Sequence, residues 1–174
     1  MKKCVIVING QGRSGKDTIC RIMAKRYKVK NVSAIDPVKN IAGYMGWQGE
    51  KTDAARKMLA DLKQVMIEYG DIPFKYIMER VSEFEKSDEQ LMFIHVREAE
   101  EIDKIVKNCP LTVKTLLVKR NDKFYDHKVF GNHADDDVEN YNYDFIYSGN
   151  NENVEQLEKS FNLYFDENIL PELK

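Results

Sequence analysis

The stretch Gly10-Gln11-Gly12-Arg13-Ser14-Gly15-Lys16 follows the apolar run Cys4-Val5-Ile6-Val7-Ile8 and precedes a segment of different periodicity. It matches the first seven positions of GxxxxGK[ST], the Walker A pattern. The chemistry demands those residue types. Glycines let successive backbone N–H groups curl around phosphate oxygens, and the following helix offers its positive N-terminal end. Lys16 adds a point charge for the β and γ phosphates. Two glycines and a lysine at this spacing arise by chance on the order of 0.05 times in such a length, given Gly usage of about 7%. A phosphate loop is therefore the reading, with ATP and Mg2+ as its expected ligands.

Working outward from the loop, residues 3–9 are short, apolar and β-branched, which predicts a buried strand ending at Asn9-Gly10. From Lys16 to Tyr27 the residues Ile19, Ile22, Met23 and Tyr27 share one helical face. Residues 30–35 read as a second strand, and Asp36-Pro37 as the start of a helix with Asp36 at the N-cap. Thr52 is the expected cap of a helix with Ala55, Met58, Leu59, Leu62, Val65, Met66 and Tyr69 inward, ended by Gly70. Pro73 opens another, with Phe74, Ile77, Met78, Val81 and Phe84 inward. Strands follow at 91–96, 112–118 and 144–147, with helices over 98–107 and from Val154 to Phe165. Alternating strands and helices predict an α/β sandwich on a parallel sheet, in a single domain over 1–174. The aperiodic, polar stretch 121–143 is too long for an ordinary connection and reads as a functional loop.

Bulk properties narrow the class. The chain has 174 residues, 43% hydrophobic and 32% charged, which suits one ordinary globular domain. With 27 Lys and Arg against 29 Asp and Glu, the net charge of -2 argues against general nucleic-acid binding. No stretch reaches the roughly 20 apolar residues of a membrane span, and the short N-terminal apolar run is no convincing signal peptide. Cys4, Cys20 and Cys109 are far apart and form no CxxC pair. They read as buried thiols in a reducing compartment, with the cytoplasm the expected location.

One position departs from the motif: Asp17 stands where Ser or Thr usually gives its hydroxyl to magnesium, and Thr18 follows it. Asp17 can hold the ion directly or through water; alternatively Thr18 meets the α phosphate. The string Arg13-Ser14-Gly15-Lys16-Asp17-Thr18 resembles the RSGKDT of bacteriophage-type deoxynucleoside monophosphate kinases, within the wider adenylate-kinase-like P-loop group. The animal type of phosphomevalonate kinase shares SGKD. The resemblance continues in Ala34-Ile35-Asp36-Pro37-Val38-Lys39 and in Lys51-Thr52 with Arg56, and fades after residue 100. It implies a five-stranded parallel sheet, a helical acceptor-binding region over about 36–88 and a mobile lid over about 119–143. Gly10, Gly12, Arg13, Ser14, Gly15, Lys16, Asp17 and Thr18 would then bind the nucleotide, with Asp17 on the metal.

Further constellations carry two readings each. In His95-Val96-Arg97-Glu98 the family has Asp-Val-Arg, so His95 replaces the usual acid; it reads as a packed or substrate-edge residue rather than a metal ligand. Arg97, at a strand's carboxyl end, is placed to clamp an acceptor phosphate with two prongs, or else pairs with Glu98 or Glu100. Asp36, Lys39, Lys51 and Arg56 are the other acceptor candidates; the bland alternative for the cations is a solvated helix face. Arg120, with Lys119, either reaches a transferring phosphate from the lid or is a strand-end charge. His133 with Asp135, Asp136 and Asp137 matches no standard metal spacing and reads as a solvated acidic loop. Trp47 is either a base contact or core.

Three functions compete on these readings. The leading one is a nucleoside monophosphate kinase with Lys16, Arg97 and Arg120 catalytic and a small-molecule acceptor, a nucleotide. The second is a kinase for a phosphorylated metabolite or an alcohol. The third is a nucleotide-dependent sensor with little catalysis, to which Asp17 and His95 lend weight.

Overall fold

The strand Cys4–Asn9 (β1) is buried at every position, so it must have neighbours on both edges and cover on both faces. A computed structural model of the protein describes residues 2–120, 138–149 and 153–173. In it β1 is the middle strand of a five-stranded parallel sheet, ordered β2-β3-β1-β4-β5. The others are Val29–Ser33 (β2), Leu91–His95 (β3), Thr112–Arg120 (β4) and Phe145–Gly149 (β5). The register sets Ile8 beside His95 and beside Leu116, and Ser33 beside His95. The carboxyl ends of β1, β2 and β3 therefore meet at one edge.

Among the described residues the α-helices are Lys16–Ala24 (α1), Asp36–Tyr44 (α2), Asp53–Gly70 (α3), Ile72–Lys86 (α4), Ala99–Asn108 (α5) and Val154–Tyr164 (α6). Strand alternation divides the core into two layers. Cys4, Ile6 and Ile8 face one way with Phe93 and Leu116, and are covered by Ile19, Ile22 and Met23 of α1 and by Phe161 and Phe165. Val5 and Val7 face the other way with Ile94 and Leu117, under Ile77, Val81 and Phe84 of α4 and Ile102 and Ile105 of α5. Each large apolar side chain buried this way stabilises the fold by about 1.5–3 kcal/mol. Parallel order, three layers and two-sided burial agree with the expected α/β sandwich.

Local details depart from the sequence reading. Helix α1 ends at Ala24, although Tyr27 N still bonds Met23 O at 3.0 Å and its ring packs on the core. Thr52 caps α3 as expected, its side chain accepting from Ala55 N at 3.2 Å. Of the face predicted for α3, Ala55 and Met66 are buried, whereas Val65 is 59% and Tyr69 84% exposed. The reason is position: α3 packs mainly on α2 and α4, outside the sheet sandwich, so its apolar stripe is only partly covered. Gly70 is the last helical residue rather than the left-handed one; Asp71, at φ 53°, ends α3 and begins α4. Asp36 is not an N-cap. The helix begins with Asp36 and Pro37, Ile35 occupies the cap position, and the Asp36 carboxylate accepts from Ser33 N at 2.8 Å. Most of the expected lid, including His133, Asp135, Asp136 and Asp137, lies outside the described residues.

Candidate functional site

The loop between β1 and α1 has a backbone that few side chains permit. Gly10 adopts φ 146°, and a Cβ there would stand 2.3 Å from Val118 O. Gly15 adopts φ 100° and is the residue preceding α1. Arg13 takes φ 65° between them, and a turn closes from Ser14 N to Gln11 O at 3.2 Å. The first intrahelical bond of α1 runs from Ile19 N to Gly15 O at 2.9 Å. The N–H groups before it thus lack helical acceptors and point out of the helix start, the arrangement that binds phosphate. Among the described residues no side chain caps this end.

Lys16 turns back over the loop. Its ammonium group bonds Gly10 O, Gln11 O at 2.8 Å and Ser14 Oγ at 3.3 Å. The positive charge therefore sits within the curl of backbone that the glycines create. Asp17, next along, is exposed in the first turn of α1. Thr18 Oγ1 accepts from Arg21 at 3.2 Å, so its hydroxyl is engaged along the helix. As an exposed carboxylate at the loop exit, Asp17 is a hard oxygen donor suited to Mg2+, which typically takes one or two carboxylates and completes its shell with phosphates and water. Among the described residues no group of three metal-binding side chains occurs. The residues present fit an ion held in that sparing way.

His95 lies across from the loop at the end of β3. Its Nε2 is 2.8 Å from Asn31 Oδ1 and 3.7 Å from Cys20 Sγ. Burial is the main cause that depresses its pKa below 6.5; the nearby charges of Asp17 and Asp36 oppose the shift, and those of Lys16 and Lys39 support it. The ring is therefore neutral at pH 7, and it reports that P-loop residues and α2 residues share one neighbourhood. Asp36 and Lys39 are thus within electrostatic reach of the same ring as Asp17 and Lys16. Lys51 and Arg56 are exposed in the α2–α3 corner and on α3.

Arg97 is exposed in the turn after β3, and its backbone carbonyl accepts from Asn9 Nδ2 at 3.0 Å. Its neighbour Glu98 forms an ion pair with Lys63 of α3 at 2.6 Å. Arg120 ends β4, opposite Gly149, and Lys119 pairs with Glu139 at 2.5 Å. Trp47 is half-buried, its Nε1 donating to Glu50 O at 3.0 Å. Asn9, Asn31, Lys63 and Tyr143 were not candidates in the sequence. For Asn9 a signal existed: a polar residue closing an otherwise apolar central strand. For the others, only long-range packing reveals the role. Among the described residues, a shallow depression of about 440 Å3 lined by Lys114, Asp144, Phe145, Ile146, Tyr164, Asn168 and Glu172 lies at the opposite, amino end of β4 and β5. The loop chemistry, not that depression, marks the site.

No protein-family model matches the chain, and no curated protein matches its sequence. Solved structures do. Shikimate kinase from Aquifex aeolicus has a TM-score of 0.52 at 11% identity, covering 95% of this chain and 98% of its own. A sugar kinase from Janibacter sp. has 0.51 at 16%, covering 95% of each. Thymidylate kinase from Candida albicans has 0.51 at 10%, covering 95% of this chain and 92% of its own. At such identities the likeness is one of fold. The chain has the P-loop kinase fold, an α/β sandwich on a five-stranded parallel sheet.

Proposed function

We propose that the chain is an ATP-dependent phosphotransferase whose acceptor is a small molecule, a nucleoside monophosphate. The observation that carries this reading is the Lys16 ammonium group held inside a glycine-formed loop at the start of α1. In the transfer, an acceptor phosphate oxygen bonds the γ phosphorus as the bond to the β–γ bridging oxygen breaks, and ADP leaves. Lys16 and the loop N–H groups stabilise charge on the β and γ phosphates. Arg97 and Arg120, at the carboxyl ends of β3 and β4, serve the acceptor and transferring phosphates, while Lys39 draws the anionic acceptor, with Lys51 and Arg56 on its approach. Asp17 would hold Mg2+, which supplies neutralisation of the phosphate charge. Three separated thiols and a mild net charge support a cytoplasmic enzyme that binds neither membrane nor nucleic acid.

A second reading, an alcohol acceptor, draws on Asp36. Its carboxylate is held by Ser33 N rather than spent as an N-cap, and its charge acts on His95. An acid in that place can take a hydroxyl proton. The test is ADP release over a panel of nucleotides, nucleosides and phosphorylated metabolites, with Lys16→Ala as control. The control should lose transfer; wild-type turnover in it at saturating ATP would remove the phosphotransferase reading. Asp36→Asn should keep most activity, since its amide oxygen can still accept from Ser33 N. A fall of about 10²-fold or more at unchanged Tm would decide for the alcohol acceptor.

A further inference from the structure

Asn9 is fully buried on the face of β1 that otherwise carries Val5 and Val7. An amide in that place is costly unless every polar atom finds a partner, and an aliphatic side chain would continue the core at no such cost. The amide is fully used. Its Oδ1 accepts from Gly10 N at 2.8 Å, and its Nδ2 donates to Arg97 O at 3.0 Å and to the Tyr143 hydroxyl at 2.7 Å. The Tyr143 hydroxyl in turn donates to Val138 O at 2.9 Å. The orientation of the amide follows from its partners, because Gly10 N–H can only donate and Arg97 O can only accept.

These partners belong to three separate segments, and each borders the proposed site. Gly10 is the first peptide of the phosphate loop. Arg97 carries the strand-end guanidinium, and Val138 to Tyr143 leads into β5. A planar amide cannot turn away from one partner without straining the bonds to the others. We propose that Asn9 is a positioning residue that couples the first peptide of the phosphate loop to the Arg97 turn and, through Tyr143, to the segment entering β5. Neither end of the proposed transfer then moves alone. A shift of the Arg97 turn is carried to the Gly10 N–H, and a shift of Val138–Tyr143 is carried to both.

The ligand in this inference, ADP, rests on the phosphotransferase reading, so the experiment has two arms. The first measures MgADP affinity by calorimetry for the wild type, Asn9→Ala and Tyr143→Phe. The second follows the Gly10 and Glu98 amide signals in 15N-correlated spectra of wild type and Tyr143→Phe without ligand; the Glu98 N–H shares its peptide with the Arg97 carbonyl. The expectation is that Tyr143→Phe, which touches neither loop nor ligand, moves both amide signals. It should also weaken MgADP about fivefold, the scale of one buried hydrogen bond, with a larger loss in Asn9→Ala. Unmoved signals with wild-type MgADP affinity at lowered Tm would overturn the coupling and leave Asn9 as packing alone. If Asn9→Ala does not fold, Tyr143→Phe decides. If the wild type binds no MgADP, the phosphotransferase reading falls and the amide signals alone decide the coupling.

Discussion

A methyl group at Gly10 would stand 2.3 Å from Val118 O and 2.8 Å from Ser14 Oγ, at a φ of 146° that side chains rarely adopt. The carbonyl belongs to β4 and cannot give way. At Gly12 an added Cβ meets none of the described residues within 4 Å, so the same substitution should be mild for the fold. Gly10→Ala should therefore cost about 2–3 kcal/mol or more, lowering Tm by roughly 5–10 °C. Gly12→Ala should leave Tm within roughly 2 °C yet weaken MgADP, because the open space beside it is where a phosphate would approach the backbone. Thermal melts and calorimetry on both variants check this. Unchanged MgADP affinity in Gly12→Ala would remove Gly12 from the phosphate site. In the sequence Gly10 is a fixed glycine of the motif and Gly12 one of its variable positions; the passing of β4 beneath the loop is the physical reason for the difference. His95 follows the same logic. Its replacement of an acid was visible in the sequence, but its neutral state depends on burial beside Asn31 and Cys20, which no local pattern encodes.

Helix ends illustrate what local chemistry can and cannot specify. Thr52 capped α3 as its type predicts, because the bond to Ala55 N is made within one turn. Gly70 did not take the left-handed position, because Asp71 serves two helices at once. Its N–H bonds Ile67 O at 2.8 Å to close α3, and its carbonyl accepts Lys75 N at 3.0 Å to open α4. Aspartate tolerates this conformation better than most residues. Asp71→Ala should cost about 1–2 kcal/mol and also loses the pair with Lys104 at 3.1 Å; Asp71→Asn, which keeps the turn and an oxygen for Lys104, should cost less, and chemical denaturation distinguishes them. Equal stabilities would mean that the left-handed turn is not what constrains the residue. The contact of α3 with the turn after β3 gives a second expectation. Burial raises the Glu98 carboxyl, but the charge and hydrogen bond of Lys63 outweigh it and hold the pKa below 4.5. A depressed carboxyl contributes stability above its unfolded pKa and loses it as pH falls through the folded value. Glu98→Gln should thus lower Tm slightly at pH 7 and flatten the decline of Tm below about pH 4.5. The effect is small because Glu98 is 38% exposed and solvent screens the pair. A decline as steep in the variant as in the wild type would assign the acid sensitivity elsewhere.

At the scale of the molecule, the sequence was enough for the layers, since short apolar runs and segments with a helical apolar face follow one another along the chain. The order β2-β3-β1-β4-β5 was not legible, because nothing local states which strand enters the middle. That order matters for function. It sets the phosphate loop after β1 between the ends of β3, with His95 and Arg97, and of β4, with Arg120, at the kind of crevice where parallel sheets bind ligands. A ligand gripped there touches the central strand and the helix that covers it, so binding should stabilise the whole domain rather than one loop. By mass action, MgADP at 100 times its Kd adds about 2.7 kcal/mol to the folded state. For a chain of 174 residues this corresponds to a Tm rise of roughly 5–11 °C. The rise should grow with the logarithm of MgADP concentration, and inorganic phosphate should give a smaller one, since it fills only part of the loop. In Lys16→Ala most of the shift should vanish, because the charge inside the curl is gone while the core beneath is untouched. A shift of equal size in Lys16→Ala would mean that the nucleotide binds away from the loop, and the site would have to be sought elsewhere on the molecule.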